Sequence, residues 1–172
     1  MSAPASKPVF LVDPTSDPVM VRIEGRASFQ NSGCLRDFFL ALTARGQTRF
    51  VLDFRNCAGM DSTFLGVLAG TAIELRKGKQ PSSLKVTNLT TRNLELMRNL
   101  GLHRLVTIET APAAPAAPPP AGASPLECAP QTELESARMV LEAHETLVAA
   151  DEANRAKFED VIAFLRNRIE QP

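Results

Sequence analysis

Residues 50–78 constrain this chain more than any other stretch. Phe50-Val51-Leu52-Asp53-Phe54 is nearly continuous in apolar character, the pattern of a central strand covered on both sides or close to it. A short polar turn follows, and a helix starts at Asp61-Ser62-Thr63. Leu65, Leu68, Ala72 and Leu75 share one face of that helix, and Arg76-Lys77 before Gly78 suits its C-terminus. A strand that must be covered, feeding a helix with one apolar face, predicts an α/β fold with helices packed on a sheet.

The flanking sequence extends this pattern. Val9 to Val12 is a short apolar run, and Val19, Val21 and Ile23 alternate with Met20, Arg22 and Glu24 as in a strand with one buried face. Asn31 or Ser32 is the expected cap of a helix with Leu35, Phe38, Phe39 and Leu42 inward, ended by Gly46. Leu84 to Val86 reads as a fourth strand. Thr90 or Thr91 caps a helix through Leu94, Met97 and Leu100, and Leu105 to Ile108 reads as a last edge strand. The order β-β-α-β-α-β-α-β predicts a mixed sheet of four to five strands within residues 1–110.

Residues 111–130 are almost entirely Ala and Pro, with seven prolines. Proline lacks an N–H donor and fixes φ, so this segment reads as a semi-rigid linker. In residues 131–172, Thr132-Glu133-Leu134-Glu135 has the capping-box pattern. Leu134, Ala137, Val140, Leu141, His144, Leu147 and Val148 form an apolar stripe. The stripe breaks at Asp151 and Glu152 and resumes at Phe158, Val161, Ile162, Leu165 and Ile169. A C-terminal helical hairpin turning near Asp151 to Asn154 is expected, and it needs something to pack on.

Net charge is zero overall, but residues 1–110 carry 14 Lys/Arg and 9 Asp/Glu against 5 and 10 in residues 111–172. Such asymmetry can mark a tail that docks on its own domain, but the tail's acids sit on helices and not in a block, so two solvated faces of different composition is the preferred reading. The scattered arginines come with no Trp or Tyr and no nucleic-acid motif, so nucleic acid is not an expected partner. Cys34, Cys57 and Cys128 have no C-x-x-C spacing, and His103 and His144 complete no zinc set, so no metal or cofactor is expected. All three cysteines read as free thiols in a reducing compartment, with Cys57 in the turn before Asp61. Met1 to Lys7 has no signal-peptide core and no run approaches a membrane span. A cytoplasmic protein without direct membrane insertion is expected.

The element order, Met60-Asp61-Ser62-Thr63-Phe64-Leu65-Gly66-Val67-Leu68, and Arg92-Asn93-Leu94-Glu95-Leu96-Met97-Arg98-Asn99-Leu100-Gly101-Leu102 together resemble the STAS domain of bacterial anti-sigma factor antagonists over about residues 8–110. The resemblance implies a STAS-like fold and a non-enzymatic, phosphorylation-controlled binding module. It implies a partner that is both anti-sigma factor and serine kinase, and a serine phosphatase that reverses the modification. The phosphoacceptor would be Ser62, with Asp61 and Thr63 beside it. Phe64 departs from the family pattern, where a small residue is usual; it either alters partner contact or packs into the core.

Taken alone, the helix start favours Ser62 as a plain cap, and the switch reading rests on the resemblance, with which the local physics is compatible. Unpaired N–H groups at a helix start favour negative charge, and a phosphate adds about −1.5 to −2 charges. The bland reading of Ser62 is a helix cap. Asp53 reads as a strand-end polar residue, since no nucleophile–base pair or third ligand accompanies Asp53 and Asp61. His144 reads as a packing residue. Two further functions stand beside the switch. One is a cytoplasmic subunit that binds a lipid or anion transporter protein without phosphorylation. The other is a scaffold that self-associates through residues 131–172. A hairpin lying over Ser62 would gate it, and truncation after residue 110 would then speed its phosphorylation.

Overall fold

The computed structural model describes residues 9–109 and 122–171. The N-terminal residues and the first half of the Ala/Pro segment, 111–121, lie outside the described residues. The first elements are β1 (Phe10–Asp13), β2 (Val19–Ala27), α1 (Phe29–Ala44), β3 (Arg49–Met60) and α2 (Ser62–Lys77). They are followed by β4 (Ser83–Thr87), α3 (Thr91–Asn99), a 3₁₀ turn (Leu102–Arg104) and β5 (Thr107–Ile108). After the Ala/Pro segment come β6 (Ser124–Pro125), α4 (Glu133–Ala150), a second 3₁₀ turn (Glu152–Asn154) and α5 (Arg155–Glu170).

The sheet is mixed, in the order β5-β4-β3-β2-β1-β6. β2, β3, β4 and β5 run parallel, each joined to the next through a helix, while β1 pairs antiparallel with both β2 and β6. The sixth strand comes from the segment read above as pure linker. Its two residues pair with Leu11 and Val12, and Leu126 packs against the core. Proline is tolerated there because β6 is an edge strand and needs no second ladder.

One face of the sheet makes the core. Phe50, Leu52 and Phe54 of β3 align with Val19 and Val21 of β2 and with Leu84 and Val86 of β4, and all are buried. α1 covers them through Phe39, whose ring meets Phe50 edge-on at 5.1 Å, and α2 through Phe64, 6.1 Å from Phe54. The opposite face is only half covered and carries Arg22, Glu24 and Asp53, with the Arg22 guanidinium 3.4 Å from Glu24 and 3.8 Å from Asp53. β3 is therefore buried on one face, not two. Its apolar Val51 lies half-buried among these polar side chains, where run composition misled the two-sided expectation.

Two local expectations are corrected. α1 begins earlier than Asn31 or Ser32: Ser28 is the N-cap, and Asn31 closes a reciprocal capping box with it. β3 continues to Met60, pairing with β2 as far as Ala27, so Cys57 lies in the strand and not in a turn. Two register shifts between β2 and β3 absorb the irregular Arg55 to Gly59 stretch and keep Cys57 and Met60 inward.

The cysteine reading is also corrected. Cys34 on α1 and Cys128 are joined in a disulfide, 94 residues apart in sequence, and only Cys57 is free. Sequence spacing gave no hint of it, because the pair is made by the tail returning across α1. No helix among the described residues is long and apolar enough to cross a membrane.

Candidate functional site

Asp61 organises the start of α2. Its backbone is extended, and Oδ1 accepts from the Phe64 N–H at 2.9 Å as the N-cap. Oδ2 accepts from the N–H of Phe29 at 2.8 Å, the first residue of α1. One carboxylate thus serves two helix N-termini, where its charge also opposes the positive ends of both dipoles. Ser62 is consequently not the cap. It is the first helical residue, half-buried, with its hydroxyl free to bond elsewhere.

That hydroxyl meets the C-terminal hairpin. Ser62 Oγ lies 2.8 Å from His144 Nε2 on α4. His144 is buried, its Nδ1 lies 2.7 Å from the Val140 carbonyl, and its ring stands edge-on to Phe158 at 4.9 Å. A carbonyl only accepts, so Nδ1 carries a proton. In the neutral ring Nε2 then accepts the Ser62 O–H bond; in the imidazolium Nε2–H donates to Oγ. His144 does pack on the apolar stripe, as its position suggests, but it also holds Ser62. That contact spans 82 residues and the Ala/Pro segment, and no local pattern announces it.

Close approach of α4 depends on Gly66. A Cβ built there would stand 2.7 Å from the Ala143 Cβ and nearer still to the Ala143 carbonyl oxygen. Four residues on, a Cβ at Gly70 would make an ordinary 3.7 Å contact with Thr146. Met139, Ala143, Leu147 and Val148 are buried along α4, and Leu147 joins the main core. At the hairpin turn, buried Asn154 donates to the carbonyls of Leu100 and Leu147 at 2.9 and 2.8 Å. Among the described residues, the hairpin packs on its own domain.

The other candidates sort clearly. Thr63 and Phe64 are buried; Phe64 stacks on Phe10 at 6.4 Å, so the departure from the family pattern is filled by core packing. Asp53 lies within β3, where it accepts from the Arg55 N–H and from Asn88 Nδ2, both at 2.9 Å. It lies on the half-covered face, bonded to Asn88 and apart from Ser62. No group of three or more metal-ligating side chains occurs among the described residues.

A parallel β–α sheet led by an antiparallel β1, with a hydroxyl at the first turn of α2, defines the class as a STAS domain. Residues 10–107 match the family model described as Mlab, STAS domain, and the chain belongs to that family. Among solved structures, the anti-sigma factor antagonist SpoIIAA in its unphosphorylated form is similar at 18% identity and a TM-score of 0.50, over 60% of this chain and 89% of that one. A Thermotoga maritima protein assigned to the anti-sigma factor antagonists is similar at 15% identity and a TM-score of 0.53, over 59% of this chain and 87% of that one. At these identities the likeness is one of fold. No curated protein matches the chain in sequence.

Proposed function

We propose that this protein is a non-enzymatic, cytoplasmic binding module of the anti-sigma factor antagonist type, governed by phosphorylation of Ser62. Its partner is a serine-kinase-type anti-sigma factor or a related ATP-binding regulator, and a serine phosphatase restores the bare hydroxyl. What supports this is the position of Ser62 at the first turn of α2, capped by a separate residue and engaged by another segment through a polar bond. A phosphate there stays compatible with the helix N-terminus, but it replaces the Ser62–His144 bond and adds a dianion to the docking face. The hairpin and the partner compete for that face, so binding requires α4 to lift.

The test is capture from native lysate with tagged wild type, Ser62→Ala and Ser62→Asp. The reading expects an ATP-binding regulator held by wild type and Ser62→Ala and lost by Ser62→Asp, with little change in melting temperature. Equal capture by all three sinks it.

The covered state of Ser62 favours a second reading. A hydroxyl bonded inside the molecule under a docked hairpin suits a STAS subunit that binds a transporter protein through another surface, without phosphorylation. A membrane-associated partner, captured equally by all three variants, is its expected outcome.

A further inference from the structure

The C-terminal segment is tied to the domain at successive points. Cys128 is bonded to Cys34; Gln131 lies against Gly33; Ala143 crosses Gly66; Asp151 packs on Gly101. Arg36, two residues beyond Cys34, reaches Glu142 on α4 at 3.3 Å. Only the first tie is covalent, and it is chemically reversible. It sits at the root of the hairpin, a few residues before α4 begins at Glu133. Cys128 is exposed and Cys34 half-buried, so small oxidants and thiols reach the pair, whereas Cys57 is buried away from it.

We propose that Cys34 and Cys128 are a redox clasp that controls access to Ser62. Oxidised, the clasp holds α4 on α2 and keeps the Ser62 hydroxyl on His144. Reduced, the same hairpin docks only through its non-covalent contacts and lifts more often. The proposal rests on the reading that the Ser62 face is the one a partner uses.

The chemistry balances with a hydroperoxide as oxidant and a dithiol as reductant. The thiolate of exposed Cys128 attacks a peroxide oxygen, the O–O bond breaks, and sulfenic acid and water (or an alcohol) result. The Cys34 thiolate then attacks that sulfur, the S–O bond breaks, and the leaving hydroxide takes a proton to become water. With hydrogen peroxide, two thiols are oxidised to one disulfide and the peroxide is reduced to two waters. A dithiol reverses this by thiol–disulfide exchange, through a mixed disulfide, and is itself oxidised to a disulfide. Exposed thiols that pair reversibly are the usual form of a disulfide in a reducing compartment.

Tether length sets the size of the effect. Without the clasp and with β6 released, α4 hangs from Glu109 by about 24 positions; with it, from Cys128 by about five. Effective concentration falls roughly as the −3/2 power of tether length, so reduction raises the undocked fraction about tenfold. If β6 stays paired, the free tether is about eight positions and the gain about twofold.

Hydrogen exchange on the full purified chain tests this. The oxidised protein is compared with the same protein reduced by dithiothreitol, with a Cys34→Ser variant as a permanently open clasp. Expected is two- to tenfold faster exchange in residues 133–150 and 62–66 on reduction, with the variant fast in both conditions. Identical exchange in the two redox states overturns the proposal. In parallel, cells treated with hydrogen peroxide are quenched with N-ethylmaleimide before lysis and the peptides weighed. Detection of the Cys34–Cys128 disulfide supports the clasp, and both thiols recovered alkylated overturns it. Neither readout involves phosphate, so the clasp and the Ser62 switch can fail separately.

Discussion

Gly66→Ala and Gly70→Ala form a matched pair whose stability effects should differ in sign. Both glycines lie inside α2, where replacing Gly by Ala in a free helix stabilises by about 1 kcal/mol. At Gly70 the new methyl meets Thr146 at 3.7 Å, an ordinary contact, so most of that gain should survive. At Gly66 the methyl would stand 2.7 Å from the Ala143 Cβ, where carbon atoms prefer about 3.5 Å. α4 must therefore retreat by roughly 0.8 Å, and overpacking of this kind costs about 1–3 kcal/mol. His144 moves with its neighbour Ala143, and the 2.8 Å contact to Ser62 opens beyond hydrogen-bond reach. Urea unfolding should then give a net loss of about 1 kcal/mol for Gly66→Ala and a gain of about 0.5–1 kcal/mol for Gly70→Ala. Exchange of the α4 amides should rise only in the first. If both substitutions stabilise equally, the close crossing of α4 over α2 is wrong.

Other perturbations probe separate contacts. Asp61→Ala removes the cap of α2 and the acceptor of the Phe29 N–H at the start of α1, which keeps its Ser28 cap, and should cost roughly 2 kcal/mol in denaturant unfolding, while Asp61→Asn, which keeps one acceptor oxygen, should lose about half of that. A change below a few tenths would refute the double role of this carboxylate. Asn154→Ala leaves the buried Leu100 carbonyl without its donor, whereas Leu147 keeps the Asp151 N–H; a loss of about 1–3 kcal/mol is expected, read as a lowered melting temperature. Burial pushes the Cys57 thiol above its ordinary value, against the smaller opposing pull of hydrogen bonds with backbone at Gly59 and Ala27. A folded value above the unfolded one gives stability that is full below pH 9.0 and lost as pH rises past it. Native protein should accordingly resist iodoacetamide at Cys57 near pH 8, with labelling on unfolding; fast native labelling refutes the burial.

Much of the domain was legible in the chain alone, because its signals are local. Alternation at Val19 to Ile23, the apolar run at Phe50 and the helix start after Asp61 each depend on neighbours a few residues away, and together they set element order and the place of Ser62. The capping box at Thr132 likewise marked the start of α4. Even the cap of α2 was foreseeable, since an Asp before Ser-Thr at a helix start has the geometry to accept from a third-residue N–H.

Tertiary structure decided whatever depends on residues far apart in sequence. Asp61 reaches Phe29, β6 adds to β1, Cys128 meets Cys34, and His144 meets Ser62, and in none of these does one partner's local sequence encode the other. The contacts of the tail follow from how an amphipathic hairpin finds an apolar face after a long segment, which composition constrains only loosely. Gly66 illustrates the division. As sequence it is a weak spot in a helix; in the fold it is the gap through which a second helix comes close enough to hold a serine.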